Sequence, residues 1–160
     1  MNGIVSRSIE KPRGRAAVLI GIGLLVLGTI SVVGMARGPH FIEVVANPLA
    51  RIEIQDLKSG DVRFFTYRDR AGDRIRFLLA RDSNGRTEAA FDACQRCYVY
   101  GKGYANSGGY LVCRYCGNRY RLKAMEAGLA SCRPVKLSIQ IVRQTAVIKP
   151  DNLERERGLF

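Results

Sequence analysis

The sequence predicts a mainly β protein: an N-terminal single transmembrane helix, then an antiparallel β-meander carrying a four-cysteine metal-binding module, zinc-ribbon-like or iron–sulfur. Three observations support this. Residues 16–35 form a run of twenty without a charge, about one hydrocarbon-core thickness when helical. From residue 51 onward, short runs of β-branched and aromatic residues are separated by turn residues at regular intervals. Between Asp92 and Pro134, two C-x-x-C pairs stand fifteen residues apart, a spacing that lets four sulfurs converge on one tetrahedral metal ion.

The 160 residues give room for one compact domain. Residues 1–15 are a basic N-terminus with Arg7, Lys11, Arg13 and Arg15, and residues 16–36 are the anchor. Only Arg37 and then Glu43 follow closely, so the positive-inside rule places the N-terminus in the cytoplasm. The remainder then lies on the extracytoplasmic, periplasmic side of the cell (inner) membrane. Gly34-Met35-Ala36 also suits cleavage of a signal peptide. The apolar core is longer than the usual 7–15 residues of such signals, which favours a retained anchor.

Residues 37–50 read as a linker that becomes a first strand or a packing arm, and residues 51–160 as the β-rich domain. Residues 51–56 (RIEIQD) alternate like a half-buried strand. Residues 62–67 (VRFFTY) and 74–80 (RIRFLLA) are strands by composition, with turns at 58–61 and 70–73. Asn84-Gly85 is the strongest hairpin signal, and residues 87–91 lead into the first cysteine pair. Residues 110–114 and 118–122 are short strands, and residues 123–127 one helical turn before Gly128. Residues 136–142 (KLSIQIV) alternate as one strand that pairs with 146–149 in a last hairpin. The tail, 151–160, is charged and reads as frayed or a short helix.

Four of the five cysteines, Cys94, Cys97, Cys113 and Cys116, form the two pairs, and Cys132 follows sixteen residues later. A two-residue gap lets one tight turn present both thiolates on the same side. A single histidine, His40, excludes a two-histidine Rieske cluster, and Tyr98 and Gly117 stand where c-type haem attachment needs histidine. Outside the cytoplasm, disulfides compete with metal thiolates, yet five is an odd number. Export of a preassembled cluster usually relies on a twin-arginine signal, and Arg13 and Arg15 are separated by Gly14. A single ion loaded after translocation avoids that difficulty. Spacing alone favours structural zinc, worth about 10–16 kcal/mol of apparent folding free energy in small domains. Cys132 is a free or disulfide-bonded thiol, or else a fifth ligand or a replacement for one of the four. A thiol–disulfide oxidoreductase needs a helix opening at the C-x-x-C, and neither pair opens one.

Asp92 is placed to hydrogen-bond a backbone amide of the metal turn. Tyr98, Tyr100, Tyr104, Tyr110, Tyr115 and Tyr120 flank the cysteines and are expected to shield them as a small core. No hydrolytic triad, phosphate loop or paired carboxylates are visible. The chain is basic, with 26 Lys and Arg against 14 Asp and Glu and a formal net charge of +12. A solvated strand face accounts for most of Arg63, Arg68, Arg70, Arg74, Arg76 and Arg81. The functional readings of that face are an acidic protein partner or anionic lipid; the topology argues against nucleic acid.

The motifs FDAC-QRC, YLVCRYCGNRYRL and SCRPVKL resemble the membrane-associated FtrD-like family over roughly residues 60–160. The resemblance implies a ferredoxin-like or iron–sulfur membrane protein. Some members accompany ferrous-iron uptake systems with a cupredoxin oxidase and an iron permease, where they are proposed to receive electrons from iron oxidation. It places the ligands at Cys94, Cys97, Cys113 and Cys116, with Cys132 as the family's additional cysteine. This chain departs in having one span where larger members have several, and Tyr98 where glycine is expected after the first pair. The expectation is an electron carrier, not an enzyme, binding iron or an iron–sulfur cluster in or beside a membrane iron-uptake or respiratory assembly. Its partners are the membrane and a multi-span permease or redox protein. The alternative is a zinc-stabilised accessory subunit that docks and does no redox work.

Overall fold

Three antiparallel strands, β3 (Val62–Arg68), β4 (Arg74–Arg81) and β5 (Thr87–Cys94), form the middle of the central sheet. They come from a computed structural model that describes residues 38–125 and 132–160. The anchor expected at 16–36 lies outside the described residues, among which no helix is long and apolar enough to cross a membrane. The described residues belong to one unit, residues 38–160.

The two turns of this meander are built alike. Asp69 Oδ1 accepts the amides of Ala71 and Asp73, each at 2.9 Å, and Asp82 Oδ1 accepts those of Asn84 and Arg86, each at 2.8 Å. Both aspartates are buried because the turn backbone solvates them in place of water. The sequence reading began the first turn one residue late and missed Asp69.

Two edge strands complete the sheet in the order β1-β3-β4-β5-β9. The expected linker contributes β1 (Phe41–Val44), which runs parallel to β3, so the sheet is not wholly antiparallel. The segment read as one strand over 136–142 is broken between two sheets. β9 (Pro134–Lys136) pairs with β5, whereas β10 (Gln140–Val142) pairs with β11 (Thr145–Ile148) and so with β2 (Ala50–Glu53). Leu137 is buried in the core at the crossing, and the Asn152 side chain donates to Ser138 O at 3.0 Å beside it. Period-2 alternation continues on both sides of such a corner, so it does not reveal the change of sheet.

Alternation sorts the central side chains between two layers. Phe65, Phe77 and Phe91 lie opposite one another in register and face the β10-β11-β2 sheet. Their neighbours Phe64, Leu78 and Ala90 face the other way, toward a third sheet of β6 (Tyr104–Ser107), β7 (Tyr110–Cys113) and β8 (Arg119–Arg121). The tail is ordered rather than frayed. α1 (Pro150–Glu154) starts on proline, where the missing amide costs nothing, and buries Leu153 fully. Arg157 then pairs with the buried Asp69 Oδ2 at 2.8 Å.

Candidate metal centre

Strand parity decides what reaches the cysteine side. On β5, Ala89, Phe91 and Ala93 belong to the phenylalanine core, while Ala90 and Cys94 belong to the cysteine side. Cys94 closes the strand, so its sulfur is held by the ladder and the chain beyond can turn. The amide of Gln95 donates to Arg133 O at 2.9 Å, and the Arg133 guanidinium returns a bond to the Gln95 side chain at 3.2 Å. That clasp brings the segment carrying Cys132 against the first pair.

The two C-x-x-C turns differ. In the second, the amide of Gly117 donates to Cys113 O and that of Cys113 to Asn118 O, each at 2.9 Å. Gly117 takes φ 75°, the left-handed conformation glycine adopts cheaply. The first has Tyr98 at the equivalent place and runs into a 3-10 turn, Tyr98–Tyr100, deferring its left-handed glycine to Gly101. The departure from the family's glycine is therefore absorbed by a longer turn.

All five sulfurs converge. Cys94, Cys97 and Cys132 lie within 4.8 Å of one another, and so do Cys97, Cys113 and Cys116. The Cys132 sulfur is 3.2 Å from that of Cys94 and 3.4 Å from that of Cys116, linking the two groups. Four of the thiols are buried, Cys116 is exposed, and all five are free. A tetrahedral ion with metal–sulfur bonds of about 2.3 Å separates its ligand sulfurs by roughly 3.8 Å, so these groups have the dimensions of a metal's ligand shell. Burial pushes the Cys97 thiol up, and the sulfurs of Cys116 and Cys94 push it further. Thiolates cannot gather here unaided; a cation among them reverses that cost. The residues present therefore fit a thiophilic metal.

Two buried tyrosines complete the cage. The Tyr120 hydroxyl donates to Cys132 O and lies 3.3 Å from Cys132 Sγ. Tyr104 is fully buried, edge-on to Tyr120 with ring centroids 6.0 Å apart. Its hydroxyl sits beside the Cys94 sulfur without a well-aligned hydrogen bond, and burial with that sulfur pushes its phenol up. The expectation that all six tyrosines shield the site is corrected: Tyr98, Tyr100 and Tyr115 are exposed, and Tyr110 stacks half-buried against Arg119.

Asp92 bonds a backbone amide, but outside the cysteine turns: its Oδ1 accepts Tyr104 N at 2.7 Å. Oδ2 makes no hydrogen bond among the described residues, and Arg76 Nε lies 3.9 Å away. Burial pushes this carboxyl up to about 7, against the opposing pull of the Tyr104 amide and Arg76. Gly103 packs on it so closely that a Cβ there would stand 2.2 Å from Oδ2. Arg76 also donates to Gly101 O, and Arg114 reaches Lys102 O through its side chain and Gly103 O through its amide. The loop between the cysteine pairs is thus clamped by Asp92, Arg76 and Arg114. The sequence suggested no such role for Gly103 or Arg114 and placed Arg76 on a basic strand face; alternation gives the direction of Arg76 but not the carbonyl it meets.

A family model described as "Membrane iron-sulfur containing protein FtrD-like" matches residues 57–160. The chain belongs to the FtrD-like family. None of the curated proteins matches it. Among solved structures it is similar to the crystal structure of the quaternary ammonium Rieske monooxygenase CntA with a bound inhibitor, at TM-score 0.46 and 14% identity. The alignment covers 70% of this chain and 35% of that one, so the chain spans about a third of the monooxygenase's length. The FtrD-like match begins at Leu57, after β2, and takes in β3 to β5, the cage and all five cysteines.

Proposed function

We propose that this FtrD-like protein is a membrane-anchored electron carrier. Its iron or iron–sulfur centre is held by Cys94, Cys97, Cys113 and Cys116, with Cys132 as fifth ligand. The observation that carries the reading is the pair of thiol groups sharing Cys97, in a chain whose family is described as membrane iron–sulfur proteins. When bound, such a group supplies one-electron transfer. The chain's residues do the rest. Tyr104 and Tyr120 exclude water and direct hydroxyls at sulfur, and Asp92 fixes the loop joining the two pairs. Residues 93–125 contain Arg96, Lys102, Arg114, Arg119, Arg121 and Lys123 and no Asp or Glu, a positive surround that offsets the charge of clustered thiolates.

Residues 16–36 anchor this domain on the periplasmic face, N-terminus inside, beside a multi-span permease or redox protein of an iron-uptake or respiratory assembly. A zinc-stapled accessory subunit is the second reading, favoured by thiol groups as compact as one ion's ligand shell. Protein purified without oxygen or added metal decides between them. Iron with an absorption band bleached by dithionite supports the carrier; one zinc and a silent spectrum support the staple. Disulfides without metal would sink both. Protease added outside cells should remove the domain, and full protection would overturn the topology.

A further inference from the structure

The surface over the cage carries exposed aromatic side chains. Where the two C-x-x-C turns reach solvent, Tyr98, Val99, Tyr100 and Tyr115 are exposed at 37%, 66%, 52% and 49%. Apolar groups left this open at a turn lose the burial free energy that would stabilise the fold. The patch is nonetheless ordered: the rings of Tyr100 and Tyr115, one from each turn, stack at 3.7 Å and 8°. It adjoins the exposed ligand candidate, Cys116. The exposed cations Arg96, Lys102 and Arg114 belong to the same turns, and residues 93–125 hold no acid. On its flank Tyr98 and Val99 line a cleft of about 820 Å³ shared with Arg74, Arg76, Arg157 and one carboxylate, Asp73.

We propose that this aromatic tip is the docking surface for an acidic electron-transfer protein, whose apolar centre covers Tyr100 and Tyr115 and whose carboxylates meet Arg96 and Lys102. An apolar centre within a charged rim is the arrangement of transient protein interfaces. Charge complementarity selects the partner's sign. The exposed sulfur selects its kind, because a lipid surface over Cys116 would insulate the site instead of draining it. The proposal rests on the electron-carrier reading.

The test uses the full chain, iron-loaded and reduced, in neutral detergent, mixed with oxidised plastocyanin as an acidic one-electron probe. The second-order rate should fall about tenfold or more from low salt to physiological ionic strength. Arg96→Glu with Lys102→Glu should lower the low-salt rate by a similar factor and flatten the salt dependence. Tyr100→Ser with Tyr115→Ser should lower the rate severalfold and keep the salt dependence, with the rates of both double variants referred to their metal-loaded fraction. A salt-independent rate, or double variants that react like the parent, overturns the proposal. If the protein carries zinc, the carrier reading fails by itself, and binding of the same probe is read by fluorescence. Binding lost in the Arg96→Glu/Lys102→Glu variant supports the surface; no binding overturns it. The chain has no tryptophan, so Val99→Trp reports the tip alone. A blue shift in nanodiscs containing phosphatidylglycerol but not in phosphatidylcholine, with no response to plastocyanin, overturns the proposal in favour of lipid.

Discussion

The two faces of the central sheet are covered by different chemistry. On one, Phe65, Phe77 and Phe91 meet Ile52, Ile148, Leu137 and Leu153, side chains with no polar atoms to satisfy. On the other, Leu78 and Ala90 meet tyrosines and cysteines, and three short strands of three or four residues each complete the layer. Hydrocarbon burial dominates the first layer. The second replaces much of that hydrocarbon with sulfur and phenol, and burial with the sulfurs beside it pushes the Cys97 thiol up, so an ion among them would add to its order.

The largest test of that contrast is Cys97→Ser, because Cys97 belongs to both thiol groups. Loss of metal should cost on the order of 10 kcal/mol of apparent stability in the small layer. Hydrogen exchange should then show β6–β8 unprotected while β3–β5 remain protected; equal loss in both would mean one cooperative core. Phe77→Ala probes the opposite face. Phe77 is fully buried, and its truncation should cost about 3–5 kcal/mol in denaturant unfolding, with the metal-to-protein ratio of the folded fraction unchanged.

Gly103→Ala comes next, since the added carbon meets the Asp92 carboxylate at a left-handed φ of 64°. Roughly 1–3 kcal/mol should be lost, and a double-mutant cycle with Asp92→Ala should show coupling between the two. Additivity would mean the contact is slack. Tyr120→Phe is the smallest. Removing the hydroxyl should cost about 1 kcal/mol and, in the iron-loaded protein, shift the reduction potential downward, since hydrogen bonds to sulfur favour the reduced form. An unmoved potential would confine Tyr120 to a packing role.

How much of this the sequence disclosed follows the same division. The strands read at 62–67, 74–80 and 87–91 fall within those observed at 62–68, 74–81 and 87–94, and they, like the cysteine spacing, are local signals. What failed depended on partners distant in sequence. The parallel course of β1 follows from where it lies on β3, and the break in 136–142 from two sheets competing for one alternating segment. The split among the tyrosines was hidden for the same reason: Tyr104 and Tyr115 both lie close to the cysteines in sequence, yet one is sealed beneath β5's layer and the other is exposed at a turn. Asp92 was read as a clamp on a nearby turn, whereas its amide partner is twelve residues away.

Strand β5 carries a consequence for how this protein can change. Its odd-numbered side chains at 89, 91 and 93 belong to the phenylalanine layer, and Ala90 and Cys94 to the other. Inserting one residue before Ala90 would exchange the two sets, driving a carboxylate into hydrocarbon and a phenylalanine into the sulfur cage. Inserting two would preserve parity. Length variation among functional relatives should therefore arrive here in even steps.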